Sequence, residues 1–259
     1  MEMQDKTIAT IGKCIYCGKT DQSLSDERIV PYGLNGEWIL GRASCKGCRQ
    51  ITSGFETDVQ RNCLLETRAK LGLRTRRRHN RPKEFSLFVK RDHQEEEIRV
   101  PIQEHLTLMM LPLFKLPAYL DERPYERGID LVVPPTVVQI GGPPIEEIGK
   151  KYRPQSISSR VKYQPTAFAR LLAKIAYGFA VAEFGLDKIQ EVYVLPAMKG
   201  ESEDIGKWVG CANDIKIGIA NSIHVIRISV LDHEILGRIK LFAQFDTPEY
   251  LVVVGSLGN

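Results

Sequence analysis

Two cysteine pairs constrain the N-terminal part of this chain more than anything else in it. Cys14 and Cys17 form one CxxC, Cys45 and Cys48 form another, and 27 residues separate them. Thiolates are soft ligands suited to tetrahedral zinc, and a two-residue gap lets a tight turn aim both sulfurs at one ion. Gly18 follows the first pair and Gly47 lies within the second. Both suit zinc knuckles, in which backbone amides curl around sulfur. Four such ligands close the coordination shell, so the zinc is expected to be structural, with no open position for water. Two CxxC pairs arise by accident far less readily than one. Cys63 and Cys211 have no partner in the pattern and read as core thiols.

Beyond the cysteines the chain divides into three stretches. Residues 1–80 carry the thiols and a basic extension. From Cys45 onward Ile51, Phe55, Val59 and then Leu64 or Leu65 recur at helical spacing, with Gly72 as a stop. Residues 81–164 open with a weakly alternating segment that reads as a β-hairpin. Nine of the fourteen prolines then fall within 111–165, which excludes long helices and central strands there. Residues 165–259 hold the clearest helix, over 166–184. Thr166 is its expected cap, Phe168, Leu171, Leu172, Ile175, Phe179 and Ala182 its stripe, and Gly185 its end. Alternating strands follow around Ile226–Val230 and Ile239–Phe245, then the apolar run YLVVVG. The expected class is α+β: a zinc-stapled finger with four cysteine ligands, a strand-and-loop middle segment, and a C-terminal α+β domain with a long helix and an antiparallel sheet.

Charge is unevenly spread. Residues 61–91 hold eleven Lys/Arg against Glu66 and Glu84, a local balance of +9 in a chain whose net charge is +4. Arg74, Arg76, Arg77, Arg78, Arg81 and Lys83 fall within ten residues. Such density is costly to fold tightly and favourable next to phosphate, where condensed counterions are released. A solvated arm, or a cluster paired with Glu95–Glu97, is the plainer reading. No apolar run reaches membrane-spanning length. The run LLAKIAYGFAVAEFG is broken by Lys174, Gly178 and Glu183. The N-terminus lacks a signal peptide's apolar stretch, so a cytoplasmic protein is expected.

The segment from Cys14 to Glu56 reads CIYCGKTDQSLSDERIVPYGLNGEWILGRASCKGCRQITSGFE. It resembles the zinc-knuckled branch of the HNH endonuclease family over about a fifth of the chain. That branch shows CxxC, an acid-His-Ile-Ile-Pro strand end, a glycine turn, a second strand, and CxxC opening a helix. The resemblance implies a ββα-metal finger acting on DNA as a metal-dependent phosphodiesterase. In it a histidine is the general base, and a divalent ion stabilises the leaving oxygen. Glu27 matches the acidic position and Glu56 the helix carboxylate, and both are candidates for binding Mg²⁺, Mn²⁺ or Ni²⁺. Ile29, Val30 and Pro31 match the apolar and proline positions, and Gly33 and Gly36 the turn.

Arg28 stands where the family carries its histidine, and Arg49 follows Cys48 where many relatives have Asn or His. Arginine stays protonated at physiological pH and cannot take a proton from water. Losing a general base removes roughly 10²–10⁴-fold in rate. A guanidinium does grip phosphate, often through two parallel hydrogen bonds. Glu27, Arg28 and Glu56 are thus the candidate catalytic set, with Arg28 in the base position but no base. Arg49, Arg74, Arg76, Arg77, Arg78, Arg81 and Lys83 are the candidate nucleic-acid contacts.

None of the other histidines restores the site from sequence. His79 lies in the basic block, His93 and His105 in the hairpin region, and His224 at a strand start. Asp232, His233 and Glu234 read as a turn between two strands. Two functional readings stay open. One is an HNH-like nucleic-acid-binding protein, active or weakened. The other is a non-catalytic adaptor or regulatory protein whose zinc finger is structural and whose C-terminal domain binds a protein partner or ligand.

Overall fold

The computed structural model describes residues 5–258, apart from 21–22, 78, 80, 126, 159 and 213–220. It is α+β, with the finger at the N-terminus and an antiparallel sheet at the C-terminus. Arg78, one of the candidate phosphate contacts, lies outside the described residues, as do Asn213 and Asp214.

The finger contains three strands rather than two. β1 (Lys6–Thr10) runs parallel to β3 (Trp38–Cys45), and β2 (Leu24–Arg28) pairs with β3 antiparallel. The turn between β2 and β3 explains its glycine. A Cβ on Gly36 would overlap the Val30 carbonyl oxygen, and Asn35 beside it is left-handed, with φ of 63°. Cys45 is the N-cap of α1 (Lys46–Asp58), so the second CxxC opens that helix. Its buried positions are Cys48, Thr52 and Phe55, while Ile51 is 40% exposed. The stripe therefore lies one position away from the expected one at its start and rejoins it at Phe55 and Val59.

The expected long helix is interrupted. A π-turn over Val59–Cys63 separates α1 from α2 (Leu65–Lys70), with Leu64 N–H donating to the Val59 carbonyl at 3.0 Å. Gly72, with φ of 65°, ends α2. Leu73 N–H bonds back to Arg68 and Gly72 N–H to Ala69, the paired bonds of a Schellman cap.

The middle segment holds the hairpin β4 (Glu84–Arg91) and β5 (Gln94–Pro101). A second pair follows, β6 (Thr107–Phe114) with β7 (Leu131–Gly141). β7 contains Pro134 and Pro135, which it tolerates because it pairs on one side only. A short helix, α3 (Ile145–Tyr152), interrupts the extended structure expected of this proline-rich stretch. It starts directly after Pro144, where a missing N–H costs nothing. β8 (Ser156–Ser158) adds to the free edge of β4.

α4 (Pro165–Phe184) is the central helix. Its first residue is Pro165, and Gln164 caps it with no side-chain bond, so Thr166 is not the cap. Gly185, with φ of 84°, ends it as expected. Beyond it come β9 (Ile189–Val192), α5 (Leu195–Lys199), α6 (Ile205–Trp208), β10 (Val209–Cys211), β11 (His224–Leu231), β12 (Glu234–Leu241) and β13 (Tyr250–Leu257). The sheet order is β10-β13-β12-β11, with β9 also on β13, and every pairing is antiparallel. Asp232 and His233, both at positive φ, make the turn between β11 and β12.

One hydrophobic core joins the first and third stretches. It runs from Cys14, Ile15 and Leu34 in the finger through Phe168, Leu172 and Tyr177 of α4 to Val252 and Val254 of β13. A separate small cluster of Leu87, Val89, Val100, Leu106 and Ile148 serves the hairpin. α4 has two working faces. On one side Ala176 packs so closely on β12 that a Cβ on Gly237 would come within 2.7 Å of it. On the other, Tyr177 donates its hydroxyl hydrogen to the Ile15 carbonyl at 2.6 Å and Gly178 faces Ile29. The finger is thus seated on a helix from the far end of the chain.

Candidate metal centre and cationic cleft

The four thiols come together. The sulfurs of Cys14, Cys17, Cys45 and Cys48 all lie within 4.8 Å of one another, and none is in a disulfide. Cys17 and Cys45 are 3.7 Å apart. Tetrahedral metal–sulfur bonds of ~2.3 Å place sulfurs roughly 3.8 Å apart, so the group has the size of a one-ion site. Backbone amides turn toward the sulfurs. Burial pushes the Cys14 thiol up, while the N–H groups of Cys45, Tyr16 and Cys17 pull it back. Cys45 is lowered to about 7, first by the Cys48 N–H. These residues can hold a metal ion. Cys63 and Cys211, by contrast, are buried core thiols raised to about 12 and about 11 by burial.

Glu27 and Glu56 also converge. Glu27 is the penultimate residue of β2, just past a bulge against β3, and Glu56 projects from the last turn of α1. Between them lies the ammonium of Lys174, from the middle of α4. Its Nζ is 2.8 Å from Glu27 Oε1 and 2.8 Å from Glu56 Oε1. It also donates to the Arg28 carbonyl, and stands 3.4 Å from the Ile29 carbonyl. The Lys174 side chain is 1% exposed and that of Glu27 7%. Burial alone would lower the Lys174 pKa, but the two carboxylates outweigh it and hold the ammonium protonated above its ordinary range. Glu27 and Glu56 thus come together, yet a protein cation lies between them where a divalent ion was expected. As the side chains stand, the pair does not fit a resident metal.

Arg28 is equally engaged. Its guanidinium forks onto both carboxylate oxygens of Asp5, donates to the Gly36 carbonyl at 3.1 Å, and lies 5.1 Å from the Tyr32 ring centre. Asp5, just before β1, also pairs with Arg74 at 3.0 Å. Arg28 beside it holds the Asp5 carboxyl below the usual range, with Arg74 assisting. The phosphate grip expected of Arg28 is therefore already taken by a carboxylate of the chain itself.

Around this centre opens a cleft of about 860 Å³. Arg28, Arg49, Arg61, Arg68, Arg74 and Arg76 line it, against Asp26, Glu27 and Glu56. A second groove of about 610 Å³ continues it past Arg77 and Arg81, sharing Arg61, Arg68 and Arg76. Arg49, Arg61, Arg76 and Arg77 are exposed. Arg68 is a clamp rather than a free contact, bonding the carbonyls of Gly33 at 2.7 Å and Gln60 at 3.1 Å. Lys83 is exposed and lines neither cavity.

Among the described residues, no histidine lines the cleft. His105 is buried, bonded to Thr107 and 5.5 Å from the Phe85 ring. His224 Nδ1 accepts from the Phe242 N–H at 3.3 Å, which leaves the proton on Nε2 to donate to the Leu34 carbonyl at 2.7 Å. Burial drops its pKa to about 4.

Sequence reasoning missed Lys174, Asp5 and Arg61 as parts of this centre. Lys174 left one trace: a charged residue in an apolar helix must find a partner once buried. No protein family, curated protein or solved structure matches this chain.

Proposed function

We propose that this protein binds nucleic acid, most simply DNA, by gripping the phosphodiester backbone in the arginine-lined cleft. In this reading the finger is an HNH-like scaffold stapled by zinc at Cys14, Cys17, Cys45 and Cys48. The convergence of Arg49, Arg61, Arg74 and Arg76 on one cleft beside the carboxylate centre carries the reading. Phosphate contacts of this kind position a partner without reading its sequence. Zinc is favoured over other ions by an all-thiolate set at tetrahedral spacing.

The same reading makes DNA cleavage slow or absent. Arg28 cannot accept a proton, its guanidinium is bound to Asp5, and no imidazole among the described residues lines the cleft. The alternative is an adaptor with a purely structural finger, for which the exposed apolar residues Leu131, Val132, Val133 and Val137 of β7 would be the binding surface.

The test is binding of a short duplex at several salt concentrations, together with a plasmid-nicking assay. Affinity should fall linearly on a log–log plot, with a slope of about −0.9 for each phosphate neutralised. Arg49→Ala/Arg76→Ala should make that slope shallower. Absence of binding at low salt would favour the adaptor, and wild-type nicking would show that a base has been overlooked.

A further inference from the structure

The oxygen cage around Lys174 Nζ has the composition of a hard-cation site. Two carboxylate oxygens lie at 2.8 Å, and the carbonyls of Arg28 and Ile29 complete the set. Carboxylate and carbonyl oxygens are what magnesium and manganese select. The three N–H donors of an ammonium serve three of these oxygens, and the Ile29 carbonyl stands further off at 3.4 Å. We infer that Lys174 is a resident cation standing in for a divalent ion, so that the Glu27–Glu56 pair takes up no metal and the cleft holds phosphate by protein cations alone. The inference rests on the phosphate-gripping reading above and states how that site works.

Three observations fix the lysine there. It stands on a stretch of α4 whose residues Leu171, Leu172, Ala173 and Ile175 are all fully buried, which anchors its backbone in the core. Its side chain is 1% exposed although the residue borders the cleft, so its bonds to Glu27 and Glu56 hold the ammonium inward. The same helix face is tied to the finger one turn further on, through Tyr177 to the Ile15 carbonyl and Gly178 against Ile29. Finally, Lys174 already bonds both carboxylates. A metal ion entering between them would meet a positive charge at hydrogen-bonding distance from each of its own ligands.

Like charge thus excludes the ion even though its ligands are in place. A protein cation also differs from a bound metal in one functional respect: its occupancy does not depend on the concentration of free ions. DNA binding in this cleft is accordingly independent of divalent metal, whereas the thiol site depends on its ion throughout.

The experiment is a Mn²⁺ titration of the full-length, zinc-loaded protein followed by electron paramagnetic resonance, paired with duplex binding at matched ionic strength. Wild-type protein should show no stoichiometric Mn²⁺ site and no gain in DNA affinity on adding Mn²⁺. Lys174→Ala should gain a single Mn²⁺ site that Lys174→Ala/Glu27→Gln loses again. A wild-type Mn²⁺ site removed by Glu56→Gln overturns the inference, as does a folded Lys174→Ala that takes up no Mn²⁺. Tightening of DNA binding by Mn²⁺ overturns it too. Should Lys174→Ala not fold, the wild-type titration decides, with Glu27→Gln and Glu56→Gln as controls. Failure to bind DNA at low salt in either buffer would instead sink the nucleic-acid reading, and the Mn²⁺ titration would still return its own answer.

Discussion

The finger carries two sets of cation ligands, and they are completed in opposite ways. The thiol set comes entirely from residues 14–48, a local stretch of chain, and is open to an ion from solution. The carboxylate set starts on the same finger but is completed by Lys174, which is 146 residues from Arg28, the neighbour whose carbonyl it also bonds. Soft sulfurs bunched on two turns can assemble around a metal before the rest of the chain folds. Two ionised carboxylates are costly to bring together out of water until a cation offsets their charge. Here that cation comes on a helix from the far end of the chain, so the two sets differ in where their completing charge originates.

The sharpest way to break the comparison is at the thiols. Cys14→Ser should abolish stoichiometric zinc by elemental analysis and remove most of the finger's stability, since structural zinc contributes roughly 10 kcal/mol or more to small metal-stapled folds. Retention of zinc and of the melting temperature would show that these sulfurs are not a metal centre.

Next in size is Lys174. Its replacement by Met leaves the buried Glu27 and the partly exposed Glu56 without their cation and should cost about 3–5 kcal/mol by urea denaturation. Lys174→Met/Glu27→Gln/Glu56→Gln should recover most of that loss, because the penalty lies in the orphaned charges rather than in the missing bonds. A triple variant no better than the single would mean that packing, not charge, sets the cost.

A third contrast uses His224, another tie between the C-terminal sheet and the finger turn. Its folded pKa, about 4, lies below the ordinary 6.5. The unfolded chain therefore takes up a proton that the folded one refuses. Stability falls as pH drops from about 6.5 toward about 4, by on the order of 3 kcal/mol. Glu66, raised to about 7 by burial, works in the opposite direction: what its protonation contributes is lost as pH rises from 4.5 to about 7. The measurable quantity is thus the difference between wild type and His224→Gln across that window. Equal slopes for the two proteins would refute the assignment.

The smallest effect concerns Asp5. It pairs with Arg28 and Arg74, both partly exposed, and under the proposed function it would compete with phosphate for them. Asp5→Asn should tighten duplex binding several-fold at low salt, in keeping with an exposed pair worth about 1 kcal/mol or less. Weaker binding in this variant would mean that Asp5 orients the two arginines for their ligand instead of blocking them.

These contrasts also show where the sequence was readable. Cysteine spacing announced the thiol cluster because both turns are local and their geometry follows from a two-residue gap. Gly72 and Gly185 marked helix ends because left-handed backbone favours glycine. Glu27 and Glu56 were visible as a carboxylate pair by resemblance, and the structure brings them to one point. The stripe on α1 was misplaced at Ile51 because Cys48 and Thr52 bury there, and neither looks apolar enough to be chosen from a pattern. The π-turn at Val59–Cys63 left no sequence signal, yet it carries Gln60 and Arg61 to the cleft.

What the sequence determined by itself was a four-thiol cluster able to hold a metal ion, and the α+β class. These depend on residue type and near-neighbour spacing, which are written directly in the chain. Only the tertiary structure decided that the finger and the C-terminal sheet share one core, that Asp5 takes the Arg28 fork, and that Lys174 fills the carboxylate pair. Each of these is a meeting of residues far apart in sequence. Such a meeting is set by how α4 packs between finger and sheet, and no local pattern of residues encodes it.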